Sequence, residues 1–169
     1  SSIFFADSIP LLAFAFKALS GLVEVPQYWG LWLYACGALQ AWFGWRLAGL
    51  ATEDRLARIA AGSLFALSPT MLNRLGGHFA VGAHFLLLAG LLLCLTSAPV
   101  ARRVAAWAGL VLAASWIHAY LLPMVLGLWA ADRLARTARA PGWMAAVELV
   151  GMPAVGLLGL WLAGFFTIA

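Results

Sequence analysis

The chain has 169 residues, 65% of them hydrophobic and 9% charged, against about 25% charged in an ordinary soluble domain. Ten Lys and Arg with six Asp and Glu cannot clothe this much apolar surface in water, so the composition excludes a water-soluble globule and points to lipid as the solvent. The net charge of +4 does not signal nucleic acid, because the bases sit in short gaps between apolar runs and form no polar stripe that could track a phosphate backbone.

In chain order, Pro10 to Leu19 is apolar apart from Lys17 and too short to cross a hydrocarbon core, which predicts an interfacial or re-entrant helix. Asp7 and Ser8 stand ahead of it as candidate caps. Residues 1–26 are expected to form an extracytoplasmic loop that carries this helix, broken after it by Gly21, Glu24 and Pro26. Gln27 to Gly49 is a first full span, with Tyr28, Trp29 and Trp32 at one interface and Trp42 and Trp45 at the other. Thr52 and Asp54 can cap the next helix. The run Ile59 to Leu72 is interrupted by Ser68 and Pro69 and ends in a flexible turn from Asn73 to His78.

Phe79 to Leu95 is read as a return span. Val104 to Ala131 holds 28 residues without charge. A single crossing would put Arg102 and Arg103 on the opposite side from Arg133, Arg136 and Arg139, so two partial spans are expected, with a turn at His118 to Tyr120 and Pro123 in the first turn of the second helix. Trp143 to Ile168 is a last span, with a kink expected near Pro153. The stretch Asp132 to Arg139 reads as a solvated helix end with neighbouring charges at i, i+3 and i+4. Cys36 and Cys94 lie inside apolar runs and read as small buried hydrophobes.

The whole chain, residues 1–169, is thus expected to be one all-α polytopic transmembrane bundle of about six full or partial helices. It is also expected to be a piece of a longer protein and to sit in the bacterial cytoplasmic (inner) membrane as a multi-pass protein. Loops 51–58, 97–103 and 132–142 hold seven arginines, whereas the other side holds Lys17 and Arg74 as its only bases. The arginine-dense loops are therefore assigned to the cytoplasm.

That topology gathers Asp7, Lys17, Glu24, Gln27, Arg74, His78, His118 and Tyr120 on the extracytoplasmic side, where they could line a cavity for a polar substrate. Asp7 lies among Phe4, Phe5 and Ile9, where partial desolvation would suit a carboxylate to general-base work. It is equally explained as a helix cap. Arg74 has a donor fork matched to phosphate oxygens, or it simply meets lipid headgroups. His78 and His84 are six apart and point about 120° away from each other on a helix. No HExxH, CxxC, Walker-type loop, dinucleotide fingerprint or GxSxG elbow occurs. A metal site built from these residues alone is therefore not expected, and no cofactor is implied; a divalent metal would need ligands from the longer protein.

The run Asp7-Ser8-Ile9-Pro10, Gln27-Tyr28-Trp29-Gly30-Leu31-Trp32, Leu39-Gln40, Leu67-Ser68-Pro69 with Arg74, Gly77-His78, Ala83-His84 and His118-Ala119-Tyr120 spans nearly the whole chain. It resembles the N-terminal half of an uncharacterised bacterial polytopic membrane family related to GT-C glycosyltransferases. The resemblance implies an enzyme that takes a sugar from a polyprenyl-phosphate-linked donor on the extracytoplasmic side. It implies Asp7 as the catalytic residue, acting as base or orienting the acceptor, and Arg74, His78, His118, Tyr120 and Gln27 as substrate-binding residues. Its partners would be membrane lipids, the lipid-linked donor and the rest of the same polypeptide. Many GT-C enzymes carry a pair of neighbouring acids in that loop, whereas Asp7 has Ala6 and Ser8 beside it.

Two other classes compete with this expectation. A non-enzymatic transporter or flippase-like protein would need a polar face through several spans, and residues 27–45 and 144–166 carry almost no charge beyond Glu148. A membrane scaffold would use the small-residue positions Gly37, Gly44, Gly151 and Gly156 for helix packing.

Overall fold

The computed structural model describes residues 9–21, 28–74, 77–136 and 142–166, and these are all helix, turn or connection. Helix α1 spans Pro10–Leu19, α2 Trp29–Ala48, α3 Arg55–Ala66 and α4 Pro69–Arg74. A 3-10 turn, Phe79–Gly82, precedes α5 (Phe85–Leu95), and α6 (Val100–Ile117), α7 (Leu121–Arg136) and α8 (Gly142–Leu162) follow.

Local chemistry explains most of these boundaries. Helix α1 starts with Pro at its first position, where the missing N–H costs nothing. Its N-cap is Ile9, which has no side-chain oxygen, so the expected capping by Asp7 or Ser8 does not fall on the cap position; both lie outside the described residues. Asp54 caps α3 by accepting from the amides of Leu56 (2.8 Å) and Ala57 (3.4 Å), while Thr52 Oγ1 accepts from the Asp54 amide (3.1 Å). Helix α3 begins four residues before the expected Ile59 because that cap sets its start. Pro69 disfavours helical backbone at Ser68 and ends α3, and Ser68 Oγ then accepts from the Met71 amide (3.3 Å) to start α4.

The expected break at His118 to Tyr120 is present: α6 stops at Ile117 and α7 starts at Leu121, with Pro123 in its first turn. The expected single helix from Phe79 to Leu95 is not. Ala83 and His84 interrupt it, and the α-helical part has 11 residues, about 16 Å long. Pro153 lies inside α8 without ending it. Trp32 is not a lipid-interface residue either; it is buried, and its Nε1 donates to the Phe79 carbonyl (2.9 Å).

Side-chain contacts fix the helix directions. Trp32 near the start of α2 meets Phe85 at the start of α5 (6.3 Å), so α2 and α5 leave the same end of the bundle. Gly62 on α3 backs onto the Ala41 carbonyl and Gly44 onto Phe65, an antiparallel pairing in which Gln40 Nε2 also donates to the Phe65 carbonyl (3.2 Å). Helix α6 is central: it touches α1, α5, α7 and α8, and Trp107, Val111, Ala114 and Ile117 on it are almost fully buried. Close approach of α6 and α8 depends on Gly156, against Val111 and Leu122, and on Gly159, against Ser115. Gly37 and Gly151 have no neighbour within 4 Å of the Cβ position, so half of the expected small-residue set does not pack helices among the described residues.

Between two ends the described chain makes six passes: α2, α3 with α4, the 3-10 turn with α5, α6, α7 and α8. Two segments, Val100–Ile117 and Ala145–Leu162, are long and apolar enough to cross a membrane.

Candidate functional site

One end of the bundle carries few bases. Helix α1 reaches it through Phe14, edge-on to Trp116 of α6 (5.9 Å). From Phe16 a series of rings runs through Tyr28 (5.5 Å) and Trp29 (5.1 Å) to Phe79 (5.4 Å) in the 3-10 turn. The α4–α5 connection with Arg74 and His78 and the α6–α7 turn with His118 and Tyr120 therefore share this end.

Arg74 is the last residue of α4 and is half-buried. Its Nε is shielded from water and has no hydrogen-bond partner among the described residues. His78 is exposed and holds a left-handed backbone (φ 56°, ψ 48°), a conformation that costs a residue with a Cβ about 1 kcal/mol. His84, half-buried, takes the N-cap position of α5. Across the end, the His118 and Tyr120 rings stack at 5.1 Å, and His118 Nδ1 accepts from the Tyr120 amide (3.3 Å). Tyr120 is 73% exposed. Of the six residues expected to form a site, these four share an end, while Asp7 and Gln27 lie outside the described residues.

The opposite end holds a feature that the sequence pattern concealed. Asp132 and Arg133, expected to be solvated, are each 3% exposed. Asp132 accepts from Arg103 through both of its oxygens, from Trp107 Nε1 (2.7 Å), and from Arg136 Nε (3.2 Å) and Nη2 (3.0 Å). Arg103 also donates from Nη1 to the Thr96 carbonyl (2.6 Å) and from Nη2 to the Leu93 carbonyl (2.5 Å), so it caps the C-terminal end of α5. Glu148 of α8 adds Oε2, 3.5 Å from both Arg133 Nε and Arg136 Nη2. Three arginines and two acids thus tie α5, α6, α7 and α8 together in a buried cluster with one surplus positive charge. The signal available in the sequence was the pair of i, i+4 spacings, Arg103 with Trp107 and Asp132 with Arg136, each beside an uninterrupted apolar run.

All 169 residues match one family, described as a domain of unknown function, DUF6311. The chain belongs to the DUF6311 family. No curated protein and no solved structure matches it.

In this DUF6311 chain the two ends suit different chemistry. At the arginine-rich end every formal charge of Asp132 and Arg103 is consumed by a protein partner, an arrangement that holds helices in register. At the other end Arg74 Nε keeps donor capacity, and His78, His118 and Tyr120 stand on short connections at the same end. Guanidinium forks bind phosphate oxygens in two-point fashion, and aromatic and imidazole rings pack on and hydrogen-bond to sugar-like polar groups.

Proposed function

We propose that the protein is a multi-pass glycosyltransferase of the bacterial cytoplasmic membrane, with a GT-C-like mechanism that uses a polyprenyl-phosphate-linked sugar on the extracytoplasmic side. In support of a membrane setting, only 28% of the Ala145–Leu162 segment is buried within the bundle. A core helix of a soluble protein would be mostly covered, whereas here Val147, Val150, Leu157, Leu158 and Trp161 face outward.

The observation that carries the catalytic side of the proposal is the shared, base-poor end at which Arg74, His78, His118 and Tyr120 stand. In the proposed reaction, an acceptor hydroxyl oxygen attacks the anomeric carbon while the bond from that carbon to the lipid phosphate oxygen breaks. Asp7 takes the hydroxyl proton, and the departing polyprenyl phosphate keeps the bonding electron pair, its charge met by Arg74. His78, His118, Tyr120 and Gln27 would orient the donor.

The test is sugar transfer by the full-length protein in membranes supplied with the lipid-linked donor. Asp7→Asn should abolish transfer at unchanged expression, and Arg74→Gln should lower it about 100-fold, the scale on which losing one donor to a developing oxyanion acts. Retained transfer in Asp7→Asn would defeat the proposal.

A further inference from the structure

Helix α4 ends at Arg74 against the 3-10 turn, and Gly82 is the point of contact. A Cβ placed at Gly82 would lie 3.9 Å from Met71 Sδ and 4.0 Å from Arg74 Cβ, so one face of α4 rests on this glycine. The His84 amide donates to the Gly82 carbonyl (2.8 Å), which ties the backbone of His84 to the same point. The break in the helix there sets a half-buried imidazole at the start of α5, close enough to Arg74 for the guanidinium charge to act on its ring.

Both side chains lack an acceptor. Arg74 Nε is shielded from water and donates to nothing among the described residues, and the His84 ring makes no hydrogen bond among them. No acid among the described residues acts on the His84 ring, whereas Arg74 does. Helix α5 also opens here, with no side-chain cap, no acid in its first turn and the positive end of its dipole. A cation and an imidazole without a counter-charge stabilise an anion and repel a metal ion or an ammonium.

A phosphate diester carries one negative charge, which Arg74 can balance. Once the bond from the anomeric carbon to the phosphate oxygen breaks, the departing monoester carries two. Resting on the transferase reading for the identity of the anion, we infer that His84 joins Arg74 in holding the lipid phosphate. Its ring N–H donates to the oxygen that keeps the bonding electron pair as the glycosidic bond breaks, and no proton is transferred. That hydrogen bond strengthens as charge collects on its acceptor.

Equilibrium binding to the full-length protein in detergent at about pH 8, where a phosphate monoester is a dianion, tests this with farnesyl phosphate, its methyl diester, farnesol and inorganic phosphate. The monoester should bind about tenfold more tightly than the diester, the ratio that one hydrogen bond to a charged oxygen supports. His84→Phe keeps a ring, removes both nitrogens and should bind monoester and diester alike, while His84→Gln, which keeps an N–H, should restore part of the difference. A substitution that only loosened the fold would weaken both ligands together and leave their ratio intact. Should His84→Phe fail to fold, protection of His84 from diethylpyrocarbonate by the monoester but not by farnesol decides the matter in the unsubstituted protein. Equal binding of monoester and diester, a ratio unchanged in His84→Phe, or inorganic phosphate bound as tightly as farnesyl phosphate would each overturn the inference. Monoester selectivity without any sugar transfer would keep the phosphate site and defeat the transferase; transfer indifferent to His84 would do the reverse.

Discussion

Arg103 on α6 and Asp132 on α7, 29 positions apart, meet in a two-point ion pair whose side chains are 7% and 2% exposed. The same guanidinium donates to the carbonyls of Leu93 and Thr96, and the same carboxylate accepts from Trp107 and Arg136. One contact therefore joins the end of α5, the start of α6 and the end of α7.

Removing Asp132 alone should be severe. Asp132→Ala leaves Arg103 buried without its counter-charge, a loss of about 3 kcal/mol or more. The double variant Arg103→Met with Asp132→Leu should recover only part of that, because Leu93 and Thr96 would still lack a donor. Thermal unfolding in detergent measures both. A single variant that melts with the unsubstituted protein would mean that the cluster does not hold the helices together.

Glycines at helix crossings should separate into two groups. A Cβ at Gly62 would lie 2.7 Å from the Ala41 carbonyl oxygen, which belongs to backbone and cannot swing aside. Gly62→Ala should therefore force α2 and α3 apart and cost about 1–3 kcal/mol, as overpacking does. Gly37, on the same helix pair's α2, has nothing within 4 Å, and Gly37→Ala should change the melting midpoint little or raise it slightly through helix propensity. Equal destabilisation by the two substitutions would contradict the packing described.

Trp32→Phe keeps a ring against Phe85 and removes one donor. The Phe79 carbonyl at the start of the 3-10 turn then loses its partner, for about 1 kcal/mol. Hydrogen–deuterium exchange should rise locally over residues 77–84 and stay unchanged over α7, since the turn, and not the bundle, depends on that bond.

Helix limits were legible wherever a single local rule dominated. Asp54 as a cap and Ser68-Pro69 as a break follow from short-range sterics and hydrogen bonding, and the turn at His118 to Tyr120 follows from the need to keep the arginines flanking residues 104–131 on one side. The interruption at Ala83 and His84 was not, because neither residue is a helix breaker; it coincides with the contact of Trp32 with Phe79, 47 positions away. The same reason hid the ionic cluster. Asp132, Arg133 and Arg136 look like an ordinary wet helix end until Arg103 and Glu148 arrive from α6 and α8 to cover them. At the other end, the shared location of Arg74, His78, His118 and Tyr120 followed from counting passes, whereas the stacking of His118 on Tyr120 had no signal beyond their adjacency.

Sidedness is open to direct labelling. With Cys36 and Cys94 replaced by Ala, a cysteine at exposed Tyr120 samples the base-poor end, and one at exposed Arg55 samples the arginine-rich end. Arginine-dense connectors stay in the cytoplasm because translocating them against the membrane potential is unfavourable. An impermeant maleimide added to intact cells should therefore modify Tyr120→Cys and spare Arg55→Cys, with both reacting after the membrane is opened. The reverse pattern would turn the Arg74 and His118 end toward the cytoplasm, away from any lipid-linked sugar presented outside, and the proposed transferase would fall with it.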